Sequence, residues 1–175
     1  QVAEGLPVAA SIATTEGVAT PFEALFAGVD QAFAPNRYAA DTLWSDASLG
    51  DLVERLREPF LRAPEPWSTV LCEARRKPRP YPDAAYSMSA RSFLSVYSIW
   101  TDPAADGPGF ASLRDMLAAV EPLGTGFYVN ESDLMVADRS ERSYAPSNWA
   151  RLKDLRRKYD PERRFHWYPG RPAGE

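Results

Sequence analysis

Hydrophobic positions along the chain recur either every second residue or every third to fourth, and the switching between the two periods lays out the expected elements. Pro7 to Thr15, rich in Val, Ile and Thr, reads as a short strand closed by the Glu16-Gly17 turn signal. Phe22, Leu25, Phe26, Val29 and Phe33 then share one helical face, and Pro35-Asn36 ends that helix. Arg37 to Trp44 reads as a second strand. Ser48 is placed to cap a helix with Leu49, Leu52, Val53 and Leu56 on one face, stopped by Pro59.

Two further strands, Trp67 to Arg75 and Arg91 to Trp100, flank a proline-rich loop over Lys77 to Asp83. In the later strand Leu94, Val96 and Trp100 fall on one face, and Phe93, Ser95, Tyr97 and Ile99 on the other. Val70, Cys72 and Ala74 alternate with Leu71 and Glu73 in the earlier one, which makes Cys72 a buried small hydrophobe. Such two-sided strands suit an antiparallel sheet covered by helices on one face, an α+β architecture, with Leu71, Glu73, Ser95 and Tyr97 on the other face. Gly107 to Gly109 opens a helix carrying Phe110, Leu113, Leu117 and Val120, ended by Pro122 and Gly124, and Gly126 to Asn130 reads as a short strand. Beyond the polar segment Glu131 to Arg142, Ser147 is expected to cap a last helix with Trp149, Leu152, Leu155 and Tyr159 buried, terminated by Asp160-Pro161. The opposite side, Arg151, Lys153, Arg156, Arg157 and Lys158, reads as a solvated face near a helix C-terminus.

Composition narrows the chemistry. Twenty basic against 24 acidic residues leave a net charge of -4 over 175 residues, so no chain-wide field attracts nucleic acid. One cysteine and one histidine, Cys72 and His166, forbid an internal disulfide and supply too few ligands for a structural zinc site, so no metal is expected. No apolar run is long enough to span a membrane and no leader is visible, which leans towards a cytoplasmic protein, although the chain opens at Gln1 and so can begin inside a gene product. Neither G-x-G-x-x-G nor a P-loop occurs, and the G-x-S-x-G elbow of a hydrolase is missing.

The last fifty residues carry a more specific signal. Gly126-Phe127-Tyr128-Val129-Asn130-Glu131-Ser132-Asp133-Leu134, then Tyr144-Ala145-Pro146-Ser147-Asn148-Trp149-Ala150-Arg151-Leu152, then Lys158-Tyr159-Asp160-Pro161 through Phe165 form three ordered elements. Together they resemble the C-terminal region of berberine bridge enzyme-like flavoproteins of the vanillyl-alcohol oxidase superfamily, whose pattern is Y-x-N with an acidic turn, Y-x-G-x-N-x-x-R-L and K-x-x-Y-D-P-x-x-x-F. Pro21-Phe22, Asp30 to Tyr38 and Trp100-Thr101-Asp102-Pro103 extend a looser likeness to the substrate domain. Departures exist: Pro146 replaces the glycine, His166-Trp167-Tyr168-Pro169-Gly170 replaces an asparagine-rich tail, and no arginine motif is recognisable in Tyr86 to Arg91.

The resemblance implies a partial substrate-binding domain over residues 1–125 and a C-terminal segment over 126–175 whose helix completes an FAD-binding domain, with the N-terminal FAD-binding half outside this chain. It implies FAD as cofactor, a small-molecule substrate such as a natural product or sugar met by Leu71, Glu73, Ser95 and Tyr97 on the open sheet face, and an FAD-binding half or partner chain. Tyr128 is the implied catalytic acid or base over the flavin, and Tyr128, Asn130 and Asn148 the implied flavin contacts. Two rival readings stand beside it: a flavin-free binding protein or cyclase on the same scaffold, and a fragment stable only against a partner.

Overall fold

The computed structural model describes residues 18–32, 36–63, 68–74 and 84–168. The strand expected over Pro7 to Thr15, the loop over Lys77 to Asp83, Phe33 and the Pro169-Gly170 end of the tail lie outside them.

Two compact units divide at Pro35. In the first, α1 (Phe22–Ala32) forms where the periodicity put it, but Phe22, Leu25, Phe26 and Val29 are all exposed. The second unit, 36–175, holds β1 (Arg37–Ser45), α2 (Leu49–Leu61), β2 (Thr69–Ala74), β3 (Ser92–Trp100), α3 (Asp106–Val120), β4 (Gly124–Gly126) and α4 (Pro146–Tyr159).

The four strands form one antiparallel sheet in the order β2-β3-β1-β4. Its long central pair runs without a slip from Arg37 opposite Trp100 to Ser45 opposite Ser92. This register puts Ala39, Leu43, Leu94 and Val96 on one face, where they pack with Leu52 and Leu56 of α2 and Leu113, Met116, Leu117 and Val120 of α3. Among the described residues twelve form that core, and α2 and α3 cover one sheet face, as the alternation in β3 predicts for an α+β fold.

Local chemistry fixes the helix ends. Ser48 caps α2 through its hydroxyl to the Asp51 N–H at 3.2 Å, as expected. Pro59, however, does not stop α2, which continues to Leu61; a proline in the last turn removes one hydrogen bond and little more. Val53 is exposed, because the buried stripe is Leu52, Leu56 and Pro59. At the start of α3, Arg37 forms a two-pronged pair with Asp106 at 2.5 and 2.6 Å, and Trp100 Nε1 donates to the same carboxylate at 2.8 Å. Gly109 lets the helix lie on the Trp100 ring, since a Cβ there would stand 2.5 Å from it.

Further expectations are corrected. Cys72 is exposed: β2 is the edge strand, and the helices that bury Leu94 opposite it do not reach that far. The strand expected over Gly126 to Asn130 is instead Gly124–Gly126, after which Glu131 and Ser132 turn back to donate to the Tyr128 carbonyl, each at 3.1 Å. In α4, Pro146 takes the first helical position and Ala145 the cap, so Ser147 is already inside. Only Trp149 of its apolar stripe is fully buried; Leu155 and Tyr159 are exposed.

Candidate functional site

The sheet face opposite the helices is concave and aromatic. Strand alternation lifts Phe93, Ser95 and Tyr97 of β3 onto it, and the register sets Glu73 and Trp44 beside Phe93 and Leu71 beside Ser95. These residues, with Tyr86, Tyr128 and Glu131, line a cleft of about 430 Å³. The four positions expected from sequence to face a cavity, Leu71, Glu73, Ser95 and Tyr97, therefore share one with Tyr128.

Tyr128 and Glu131 reach the cleft because the chain beyond β4 is tied to β1 at several points. The Tyr128 N–H donates to Thr42 Oγ1 at 2.8 Å, and that hydroxyl is also bonded to Ser132 Oγ at 2.6 Å. Gly126 allows this close crossing: a Cβ there would lie 2.7 Å from the Arg142 carbonyl. Beneath the turn, Arg139 is buried against Asp41, with Nε and Nη2 each 2.9 Å from Oδ2, and its guanidinium lies 3.9 Å over the centre of the Phe127 ring. Arg139 also reaches Glu121, which binds Arg142 as well. Burial pushes the Asp41 carboxyl up, against the opposing pull of Arg139.

In the cleft and at its rim the polar groups form two sets. Asn130 Nδ2 donates to the Tyr128 phenol oxygen at 3.1 Å, and the Tyr128 ring meets Tyr86 and Phe93 edge-on at 5.5 and 6.1 Å. On the neighbouring wall Ser95 Oγ donates to Glu131 Oε2 at 2.8 Å, and Tyr97 Oη donates to the same oxygen at 3.4 Å. Burial raises the Tyr97 phenol above its ordinary range, and the Glu131 charge raises it further. Trp44 Nε1 donates to Tyr86 Oη at 2.6 Å, closing the far side.

Asn148 is not in this cleft. It sits in the first turn of α4, where its amide donates to the Ala84 carbonyl at 2.6 Å and the Ala85 carbonyl at 3.4 Å. A smaller hollow of about 140 Å³ lies there, lined by Ala84, Ala85, Arg151, Leu152 and Leu155. Its bonds hold the backbone next to Tyr86, so Asn148 touches the cleft wall only through that residue.

Sequence reasoning did not single out Trp44, Tyr86 or Glu131 as lining residues. Trp44 belongs to the cleft through its register opposite Phe93, and Tyr86 sits in a loop with no periodicity to read. Glu131 stood in the quoted motif as part of an acidic turn, and only the reversal at Tyr128 aims it back at Ser95. Among the described residues no cluster suited to a metal ion occurs, and no helix is long and apolar enough to cross a membrane.

Comparison with known proteins converges on the same segment. Residues 127–170 match the family model for berberine and berberine-like proteins. Over 132 residues, 74% of this chain, the sequence is 26% identical to the FAD-linked oxidoreductase ptmO of Penicillium ochrochloron. It is likewise 26% identical over 132 residues to the FAD-linked oxidoreductase penO of Penicillium crustosum. The chain spans 29% of the length of each of these relatives. The stretch that carries Tyr128, Asn130, Glu131 and Asn148 is thus berberine bridge enzyme-like, and the likeness of the chain to FAD-linked oxidoreductases reaches well beyond that stretch.

Proposed function

We propose that this chain is the substrate-binding and C-terminal part of an FAD-dependent oxidoreductase that takes hydride from a small organic substrate, a natural product or sugar. Residues 1–125 belong to the substrate domain on this reading and 126–175 to the C-terminal segment, with the FAD-binding half supplied by polypeptide outside this chain. The observation that carries it is the meeting of Tyr128, from the berberine-like segment, with Ser95, Tyr97, Leu71 and Glu73 around one cleft.

The chain's own residues suit a flavin ring as one wall of its site: the cleft is aromatic, and a phenol with a donated hydrogen bond stands at its edge. When bound, the flavin supplies the hydride acceptor. Tyr128 then holds or takes the proton that leaves the substrate, and Asn130 supports negative charge on the phenol oxygen by donating to it. Leu71 and Phe93 give apolar contact, Glu73, Ser95 and Tyr97 polar contact, and the sheet keeps them in fixed register. Asn148 contributes by fixing the loop before Tyr86 rather than by reaching the cleft.

The test is the visible spectrum and intact mass of the natively purified protein together with any chain that accompanies it. A yellow complex containing a further FAD-binding polypeptide is the expected result. A colourless chain that binds small molecules alone would favour the flavin-free binding or cyclase reading.

A further inference from the structure

One turn of the chain brings a base and a proton donor to the cleft. Glu131 Oε2 accepts from Ser95 Oγ at 2.8 Å and from Tyr97 Oη at 3.4 Å, which fixes the carboxylate, while Oε1 has no partner among the described residues. Tyr128 Oη accepts from Asn130 Nδ2 at 3.1 Å, so the phenol hydrogen points elsewhere, and among the described residues nothing accepts it. The Glu131 N–H bond to the Tyr128 carbonyl, at 3.1 Å, closes the turn between the two residues, and both line the cleft with Trp44, Tyr86, Phe93 and Leu71. A carboxylate with one oxygen open and a phenol already held by a donor are the two groups that proton transfer at carbon needs. The first takes a proton from a C–H bond next to a carbonyl, and the second hydrogen-bonds the oxygen on which the charge collects.

We infer that the cleft has a second, redox-neutral activity, the enolisation of ring-bearing ketones, with Glu131 as the base and Tyr128 as the donor to the carbonyl oxygen. The inference rests on the reading of this cleft as the substrate site and needs nothing from a flavin. Glu131 Oε1 takes the proton of a C–H bond next to the carbonyl. The C–H electron pair becomes a C=C bond, the carbonyl π pair moves onto oxygen, and Tyr128 donates its hydrogen bond to that oxygen. Return of the proton from Glu131 to the same carbon restores the ketone, and its return to the far end of a conjugated dienolate shifts a double bond. Atoms and electrons balance with no oxidant. Phe93 and Leu71 give the ketone's ring its apolar contact, and Ser95 acts as a positioning residue through Glu131.

The test is hydrogen–deuterium exchange of β-tetralone in heavy water, followed by proton NMR at the carbon between its ring and its carbonyl. The full chain is used, with any co-purifying chain retained, and air is excluded so that no oxidation competes. The expected result is saturable exchange at least about 10²-fold faster than in buffer, the lower end of what a positioned base contributes. Glu131→Gln keeps the shape but not the base and should remove most of that acceleration. Tyr128→Phe takes away one oxygen and should slow exchange by about 10²-fold, the worth of one donor to a developing oxyanion, which keeps the test decisive should Glu131→Gln not fold. Both variants should still bind the ketone, seen as backbone amide shifts at Ser95 and Phe93. Exchange at the buffer rate despite binding in the cleft overturns the inference and leaves the cleft as the substrate site, as does exchange that either substitution leaves untouched. Binding elsewhere, or none at millimolar concentration, overturns that reading as well.

Discussion

Asn130 donates its side-chain amide to the phenol oxygen of Tyr128 across 3.1 Å, two residues along the same turn. The backbone makes this possible: the Tyr128 carbonyl accepts from both Glu131 and Ser132, which folds the chain back over the ring. A donor aimed at a phenol oxygen favours that oxygen as it gains negative charge, which is what proton transfer to or from Tyr128 requires.

In the FAD-loaded protein, Tyr128→Phe should therefore lower the rate of flavin reduction by roughly 10² to 10⁴, the usual worth of a general acid or base. Ligand affinity in the cleft should stay within a few-fold, since the ring remains. Asn130→Ala should cost about tenfold, in line with one hydrogen bond. Rapid-mixing measurement of flavin bleaching separates the two; an unchanged rate in Tyr128→Phe would remove that residue from the chemistry.

A second prediction concerns what holds the turn. Asp41 and Arg139 are both almost fully buried, and their pair spans from β1 to the segment that carries the site. Breaking such a pair leaves one buried charge uncompensated, so Asp41→Ala or Arg139→Ala should each destabilise the fold by about 3 to 5 kcal/mol. The double substitution should cost less than the sum of the two. Urea unfolding midpoints decide it, and additive losses would mean that the two side chains act independently.

Much of this site could be read from the chain beforehand because a β-strand has a fixed period. Once Leu94 and Val96 are assigned to the core, Ser95 and Tyr97 have nowhere to point but the other face, and antiparallel pairing brings Leu71 and Glu73 beside them. Tyr128 and Asn130 came from a spaced motif, not from periodicity. What eluded the sequence was tertiary. Cys72 alternates like a core residue, yet lies on an edge strand beyond the reach of α2 and α3. Asn148 shares a motif with Tyr128 but begins a helix of its own, and its amide bonds the nearer backbone of Ala84. The Arg139–Asp41 pair joins residues 98 apart in the chain and leaves no local trace.

Acid stability should depend on Asp106. Hydrogen bonds from Arg37, and then from Trp100, hold its carboxyl below the ordinary aspartate range. A carboxyl whose value is depressed in the folded state contributes stability above its unfolded value, and that contribution is lost as pH falls through the folded one. Asp106→Asn should thus lower the melting temperature at neutral pH, while the gap to the wild type closes as the solution is acidified below the ordinary aspartate range. A gap that stays constant with pH would assign the effect to lost packing instead of charge.

The outer side of α4 carries the last prediction. Leu152, Leu155 and Tyr159 follow helical spacing and read as a buried stripe, yet Leu155 is 41% exposed, Tyr159 69%, and Phe165 beyond the helix end 72%. Solvent gains nothing from such a stripe, and apolar side chains gathered on one helix face are half of a contact. Under the proposed function, the covering half is the FAD-binding polypeptide, which the relatives have room for in the greater part of their length. Replacing Leu155 and Tyr159 together with Asp should leave the fold of this chain within about 1 kcal/mol of the wild type, as exposed positions usually allow. The same change should strip FAD, and any accompanying chain, from the purified protein. Retention of full flavin content by that variant would mean that α4 faces water in the working enzyme and that the FAD-binding half docks elsewhere.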